Sequence, residues 1–528
     1  MLKPPNFLFI ITDQQRHDHL SCAGNPLLRT QHIDQLAGRG VRFENFYVAS
    51  AVCMPNRASI MTGRMPSSHG VRFNGIPLSR DAVTFVDLLR ANGYRTGLVG
   101  KAHLQNVTDL VSAYPGVDAA GIAPPDALSE ARRTRFSGPE YELEREPGAE
   151  RLGYRALETP FYGFDHVELC TRHGDRCAGH YSNWLAGQLD DVDVLRSREN
   201  LIPAPEYSAP QAYRTRVPPE LHSTAYVAAR GREFLERHVA SGEDAPFFLQ
   251  VSFPDPHHPY TPAGHYWEQY QPEHVTLPPT FAQADLPPTV AAIHELSRDP
   301  QKLRNPRQPF AVSARHAQEI TALTYGMVHH IDDAVGQLMG SLQALGIADN
   351  TIVIFTSDHG DFMGDRGIML KGPLHYQGIA KVPFVWMDPR SVRPGTTTDT
   401  LGSSLDISAT VLAQAGLAPF HGLQGQDLSG VLDGTTSAVR EGLLIEQDAQ
   451  APNFGFTHPI RARTLVTDRW RMSIYRGESF AELYDLQSDP HETKNLWDSA
   501  KERAGLSHQL MDLMTSLQDT SPRPLQFA

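Results

Sequence analysis

The chain has 528 residues, 40% of them apolar and 20% charged, with a net charge of −13 at neutral pH. That length exceeds one small core and suits a large domain plus a smaller one, and the composition is neither disordered nor fibrous. The acidic balance argues against a non-specific nucleic-acid binder, which needs a basic surface, but leaves room for a locally basic site that takes a small anion.

The first element is NFLFIIT, Asn6 to Thr12, a continuous apolar run expected to be a strand buried on both faces of a parallel sheet. It breaks at Asp13 with no small-residue cleavage site, so it reads as a strand and not as a signal peptide, which implies a cytoplasmic protein. No apolar run approaches the ~18 residues of a membrane span, so no membrane partner is expected. Pro55 fits the first position of a helix running through NRASIMTG to Gly63, which leaves Cys53 just before that helix. FVDLLRANGY reads as an amphipathic helix ended by Gly93, and TGLVG as the strand after it. From about Gly116 to Leu221 the chain is rich in Pro, Gly and charge, and reads as insertions over the sheet's edge. A long helix from Tyr325 to Gly346 leads into the strand TIVIFT, Thr351 to Thr356. Helices alternating with buried strands predict an α/β domain with a large, mainly parallel sheet flanked by helices. Near residue 440 the pattern changes to RARTLVTDRWRMSIY, two alternating runs around a turn. The expected division is therefore residues 1–440 as the catalytic α/β domain and 441–528 as a smaller α+β domain with an antiparallel sheet. The Pro-rich tail SPRPLQFA could reach a neighbouring subunit of a homo-oligomer, although a frayed end is the plainer reading.

Ligands of open α/β sheets gather beyond the carboxyl ends of the strands. Three such ends here carry polar groups: Asp13-Gln14 after the first strand, Lys101 and His103 after TGLVG, and Asp358-His359 after TIVIFT. Lys101 and His103 point to one side if the chain stays extended. Together the three ends supply ligands for a hard divalent cation, whereas a lone Asp at a strand end is as often a turn or cap residue. Cys53, close to a helix N-terminus, would be an acidic, reactive thiol or else a buried small apolar residue. Of the other cysteines, Cys170 and Cys177 flank His173, but the spacing fits no zinc pattern and reads as a pair of ordinary loop thiols.

The stretch CMPNRASIMTGR, Cys53 to Arg64, resembles the motif of the formylglycine-dependent sulfatases, Cys-x-Pro-x-Arg followed by Thr-Gly-Arg. The resemblance continues through NFLFIITDQQRHD, GYRTGLVGKAHL, PHHP, HIDDAVGQLM, NTIVIFTSDHGDFMGD, KGPLHYQGIAKVPFVW and ELYDLQSDPHETKNL, in the sulfatase order from the first strand to the C-terminal domain. It implies that Cys53 is oxidised by a separate formylglycine-generating enzyme to an aldehyde that hydrates to a geminal diol. It further implies one divalent metal ion held by Asp13, Gln14, Asp358 and His359. Gln14 and His359 depart from the family's commonest pattern, Asp and Asn, which leaves Ca²⁺, Mn²⁺ and Mg²⁺ open; the imidazole tilts the choice toward Mn²⁺.

Carried over in the same way, Arg57 and Lys101 hold and polarise the diol, and His103 is its hydrogen-bond partner. His257 and Lys371 bind sulfate oxygens and assist the leaving group, and Asn74 is a further substrate contact seen in the related phosphonate monoester hydrolases. His258 and His375 read as structural neighbours, as do Asp361 and Asp365. The implied reaction is hydrolysis of a small sulfate monoester by an arylsulfatase-like enzyme of the alkaline phosphatase superfamily. One diol oxygen attacks sulfur, and the other hydroxyl then loses its proton and expels sulfate, which a serine could not do. Asp358 could accept the first proton and His257 could protonate the leaving oxygen. A phosphonate monoester hydrolase or phosphodiesterase with the same nucleophile is the rival reading, and a silent anion-binding relative a remote one. The Asp-Gln and Asp-His pairs fit the phosphonate hydrolases, but those enzymes carry neutral hydroxyl residues where Lys101 and His103 stand. Overlapping activities are expected, since both substrates are tetrahedral anions.

Overall fold

The apolar run Asn6–Thr12 lies at the centre of a nine-stranded sheet, every residue of it buried. In the computed structural model, residues 3–108, 125–131, 136–145, 157–298, 308–517, 520–521 and 526 are described. The strands of this sheet are β1 Asn6–Thr12, β2 Val41–Phe43, β3 Arg95–Gly100, β4 His166–Thr171, β5 Ala178–Gly179, β6 Phe247–Ser252, β7 Thr351–Ser357, β8 Phe384–Met387 and β9 Thr396–Thr398. Their spatial order is β9-β2-β8-β7-β1-β6-β3-β4-β5. β7, β1, β6, β3 and β4 run parallel side by side, while β8 and β5 are antiparallel to their neighbours.

Strand alternation sorts the core into two layers. Phe7, Phe9 and Ile11 face a cluster that includes Met54, Ala58 and Met61, Phe85 and Leu89, and Ile407 and Val411, from the helices Cys53–Thr62, Phe85–Ala91 and Asp406–Gln414. Leu8 and Ile10 face the opposite layer, made by the helices Gln31–Arg39, Ser223–Ala240 and Ala314–Ala344. The Phe85–Ala91 helix starts from a capping box in which the Thr84 side chain and Asp87 satisfy each other's backbone N–H groups.

The C-terminal part forms a four-stranded antiparallel meander of β10 Gly442–Asp448, β11 Arg461–Thr467, β12 Trp470–Tyr475 and β13 Ala481–Asp485, as the two alternating runs predict. Leu444, Leu465, Met472 and Leu483 of this sheet pack on Leu506 and Leu510 of the helix Arg503–Ser516 and on Ala49, Met65 and Leu405 of the larger part. His375 joins the C-terminal sheet through Thr464 Oγ1 at 2.8 Å and Gln447 Oε1 at 3.0 Å, both ring nitrogens engaged.

Three expectations need correction. The helix carrying the cysteine motif begins at Cys53 itself, with Val52 as its cap, so Pro55 is its third residue and not its first. The first turn has no i−4 partners for its N–H groups, so proline is tolerated there too. The long helix starts at Ala314, eleven residues before Tyr325, because the apolar periodicity continues upstream through Ile320 and Leu323. The segment from Gly116 to Leu221 does not simply lie over the sheet's edge: its residues 166–171 and 178–179 are β4 and β5, the last two strands of the sheet, with β5 at the edge. Residues 116–124, 132–135 and 146–156 of that segment, and most of the tail, fall outside the described residues.

Candidate active site

The register of the parallel strands brings their carboxyl ends to one line. Thr12 is opposite Ser357, Ile11 is opposite Ser252, and Gly100 is opposite Ser252 on the other side. Asp13, Lys101 and Asp358 are the next residues of β1, β3 and β7, so they converge on one spot. Gly100 is required for the exit of β3: its φ is +103°, and a Cβ there would overlap the Ser252 carbonyl oxygen. Gln14, at φ 67°, and His103, at φ 56°, are left-handed without being glycine, the sort of backbone strain that the surrounding packing must hold in place.

Above this line sits the first turn of the Cys53–Thr62 helix. Cys53 Sγ lies 3.1 Å from His359 Nε2, 3.2 Å from Lys371 Nζ and 3.9 Å from Asp13 Oδ1. One turn later Arg57 donates from Nε to Asp358 Oδ2 at 2.7 Å, and from Nη1 to Ser252 Oγ and the Lys101 carbonyl oxygen, both at 2.9 Å. Lys101 donates its ammonium to Asp13 Oδ2. Gln14 gives its backbone N–H to Asp358 Oδ1 at 3.1 Å, accepts from Lys371 Nζ at 2.8 Å, and donates to Asp361 Oδ2 at 2.5 Å.

Asp13, Cys53, Asp358 and His359 are all buried and present ligand atoms within 4.8 Å of one another. His359 donates Nδ1–H to the Gly360 carbonyl oxygen at 2.9 Å, which leaves Nε2 unprotonated in the neutral ring and turned toward both carboxylates at 3.6 Å. Two buried carboxylates, an oriented imidazole and an amide oxygen nearby form a donor set suited to a hard or borderline divalent cation.

Charge dominates this buried cluster. Burial pushes the Asp13 carboxyl up, but Lys101, His257, His173 and Lys371 overcome it and hold it well below the usual range. Burial and Asp13 push the Cys53 thiol up, while Lys371, Lys101 and His359 more than compensate and lower it. His359 moves the other way: burial lowers it, and Asp358 raises it above the ordinary value. Burial, helped by His173, His258 and Lys371, keeps His257 well below its ordinary value, so the ring is neutral in this arrangement.

Of the residues expected in the site, Asp13, Gln14, Cys53, Arg57, Lys101, Asp358, His359 and Lys371 meet directly. His257 joins them through its stack on His173, and its Nδ1–H donates to the His258 carbonyl oxygen at 2.7 Å. His103 is buried nearby, where burial and the charges of Lys101 and Arg57 lower it, but the left-handed turn means that it does not follow Lys101 in extended geometry. Asn74 is exposed, and its Oδ1 accepts the Met54 N–H at 3.1 Å, so it satisfies an N–H of the first turn of the Cys53–Thr62 helix. His258 is stacked on His257 and has Nδ1 3.4 Å from Gln14 Nε2, and Asp361 accepts from Gln14, so both stand closer to the site than purely structural residues would.

Two residues were not foreseen. His173, set aside in the sequence with its flanking cysteines, has Nε2 2.8 Å from Lys101 Nζ and 3.6 Å from Asp13 Oδ2, and burial with Lys101 pushes it down to about 3. Glu144 is fully buried, and its two oxygens accept the N–H groups of His103, Leu104 and Gln105 at 2.6, 2.7 and 2.8 Å. Neither belongs to a motif. Only the density of polar residues in the long segment after TGLVG hinted that it reaches the site.

The model of the family described as Sulfatase matches residues 5–119 and 163–417. The chain belongs to the sulfatase family. A second model, N-sulphoglucosamine sulphohydrolase C-terminal, matches residues 364–520, which include the antiparallel meander. The chain is 26% identical to an arylsulfatase of Clostridium perfringens, over 97% of this chain and 94% of that one. It is also 26% identical to a choline-sulfatase of Rhizobium meliloti, over 94% of this chain and 83% of that one. Among solved structures it resembles the phosphonate monoester hydrolase of Agrobacterium radiobacter, with a TM-score of 0.74, 24% identity, and coverage of 97% and 96%. This sulfatase is thus a sulfuric ester hydrolase of the alkaline phosphatase superfamily, with the fold expected for it. No helix among the described residues is long and apolar enough to cross a membrane.

Proposed function

We propose that this sulfatase hydrolyses small sulfate monoesters in the manner of an arylsulfatase, with a nucleophile derived from Cys53. The supporting observation is the position of the Cys53 thiol, between Lys371, His359 and Asp13 at the first turn of a helix. In this reading a formylglycine-generating enzyme converts Cys53, and the hydrated aldehyde supplies the attacking oxygen and the means to expel sulfate from the enzyme. Asp13, Gln14, Asp358 and His359 would hold one divalent cation, which supplies a Lewis acid that makes the diol acidic and offsets sulfuryl charge.

The chain's own residues have separable tasks. Arg57 fixes Asp358 and carries positive charge under the nucleophile, and Asp358 takes the proton from the attacking hydroxyl. Lys101 and Lys371 are fixed cations aimed at the sulfuryl oxygens, where charge is redistributed as the ester bond breaks. His103 holds the nucleophile's second hydroxyl, and Asn74 contacts substrate at the mouth. His257, whose Nδ1 is engaged by the His258 carbonyl while Nε2 has no hydrogen-bond partner among the described residues, protonates the leaving oxygen; the negative charge of a bound ester offsets the burial that now keeps the ring neutral. Residues 1–440 would hold this chemistry and 441–528 would buttress it. A cytoplasmic setting is part of this reading.

A second reading, phosphonate monoester hydrolysis, is favoured by Gln14 and His359 in the metal set, and some activity of that kind is part of the proposal. The test measures nitrophenol release from 4-nitrophenyl sulfate and from a 4-nitrophenyl phosphonate monoester, with protein of known aldehyde content before and after chelation. A higher kcat/KM for sulfate, lost on chelation and restored by Mn²⁺ or Ca²⁺, supports the first reading. A higher value for the phosphonate would reverse the order.

A further inference from the structure

His173 lies on a short loop between β4 and β5 that is set up to hold one side chain. Arg172 and Gly174, on either side of it, are both left-handed, at φ 59° and 58°, while His173 itself is extended. A Cβ on Gly174 would stand 2.9 Å from Thr261 Oγ1, so the loop's close approach needs glycine there. The next residue anchors it: Asp175 donates its N–H to Thr261 Oγ1 at 3.3 Å and accepts from the Tyr213 hydroxyl at 2.8 Å. Besides its 3.6 Å approach to Asp13 Oδ2, the ring that this loop delivers makes two further contacts. It stacks on His257 with centroids 3.6 Å apart and planes 12° from parallel, and it brings Nε2 to 2.8 Å from Lys101 Nζ.

An ammonium has donors only, so in that contact Nε2 of His173 accepts and the ring proton is on Nδ1. Lysine is a compact charge on a flexible four-carbon stem and needs more than one partner to be fixed in direction. Asp13 supplies one partner at the floor of the site, and His173 supplies the second from the insertion. We propose that His173 is a positioning residue, which aims the Lys101 ammonium at the reacting group and sets the plane of the His257 ring beside it. This rests on the reading of Lys101 as a reacting-group cation. The same atoms also invite a different assignment, because Asp13, His173 and His257 present ligand atoms within 4.8 Å of one another. The Lys101 ammonium, however, already bonds both the Asp13 carboxylate and the His173 nitrogen, and it supplies the positive charge that a second cation would bring.

The test is a double-mutant cycle on the full chain with its metal, read with 4-nitrophenyl sulfate, aldehyde content, bound metal and melting temperature. His173→Leu should lower kcat about 10- to 100-fold, the range for loss of a group that orients a site residue, with KM changed less. His173→Gln, which keeps an acceptor at the place of Nε2, should recover most of that loss. In a Lys101→Ala background, His173→Leu should cost little more, because two residues that act as a unit are not additive. Bound metal and melting temperature should match the parent. An undiminished kcat in His173→Leu overturns the inference, as does an equal cost in both backgrounds. A fall in bound metal per chain in His173→Leu would make it a ligand of a second cation and overturn it too. Parent-like activity in Lys101→Ala would instead defeat the reading of Lys101 on which the inference stands, so the two failures are told apart.

Discussion

Cys53 Sγ and Lys371 Nζ stand 3.2 Å apart, joining the first turn of a helix to the loop after β7 across 318 residues of sequence. The pairing lowers the thiol and raises the lysine, whose burial alone would do the opposite. A thiol so placed has the features of a redox or nucleophilic cysteine, and geometry alone would leave it there. The sulfatase reading gives it a different fate. The peptide containing Cys53 should be about 18 Da lighter than its thiol form in active protein, a covalent change that mass spectrometry reads directly. Activity should scale with the aldehyde fraction across preparations. Full activity with an unmodified thiol would sink the mechanism.

The metal set makes a graded prediction. Asp13→Ala and Asp358→Ala should remove the bound metal and nearly all activity. Asp365→Ala should leave metal content intact and act on stability, because Asp365 pairs with Arg16 and accepts from the Thr280 hydroxyl away from the cluster. Asp361→Ala should fall between them, since it supports Gln14 and also accepts the Met363 and Leu370 N–H groups. Metal analysis and thermal melts on the same samples separate the effects. Equal loss of metal at all four positions would show a fragile loop and not a ligand set.

These contrasts mark how far the sequence could be read. The sheet was legible because β1, β3 and β7 are short, continuous apolar runs whose ends carry Asp, Lys and Asp-His, and parallel register carries those ends to one line. The motif residues were legible because their chemistry is tied to spacing: Cys53 and Arg57 are one helical turn apart, so both face the strand ends. What could not be read is held by long-range contacts without local pattern. β4 is a half-buried strand next to the sheet's edge with Glu168 in its middle, and its pairing with β3 leaves no mark in an alternation count. His173 and Glu144 reach the site from a polar segment, the first through left-handed residues and the second through backbone N–H groups that any sequence supplies. The start of the cysteine helix was misplaced by two residues because proline fits anywhere in a first turn.

Glu144 yields a pH prediction. Burial raises its pKa from 4.5 to about 7, against the pull of three backbone N–H groups and Arg57. Between those two values the folded protein holds a proton that the unfolded chain has released, so stability falls as pH rises through that window. The full shift corresponds to at most on the order of 3 kcal/mol. Glu144→Gln cannot ionise, so its melting temperature should vary less than the parent's between pH 5 and 8. The same variant keeps one acceptor oxygen for three donors, so the turn at His103 should loosen and kcat should fall at every pH. Identical melting profiles for parent and variant would remove Glu144 from any titrating role.

The choice between sulfate and phosphonate turns on Lys101 and His103. Lys101 is a buried cation fixed by Asp13, and His103 is buried beside it on a strained turn. If both serve the sulfuryl group and the diol, losing one contact costs about 2.7–4 kcal/mol of transition-state stabilisation, on the order of a hundred- to thousand-fold in rate. Lys101→Thr with His103→Ser supplies the neutral hydroxyl character of the phosphonate hydrolases. Serine is used at 103 because a β-branched residue is strained at the φ of 56° found there. The double variant should lose sulfate ester hydrolysis more than phosphonate hydrolysis, measured with one leaving group on one preparation. Incomplete Cys53 conversion and partial unfolding scale both rates alike and cancel in the ratio. A ratio that stays at the parental value, or moves toward sulfate, would mean that these two residues do not set the preference, and the case for sulfate over phosphonate would then rest on the family alone.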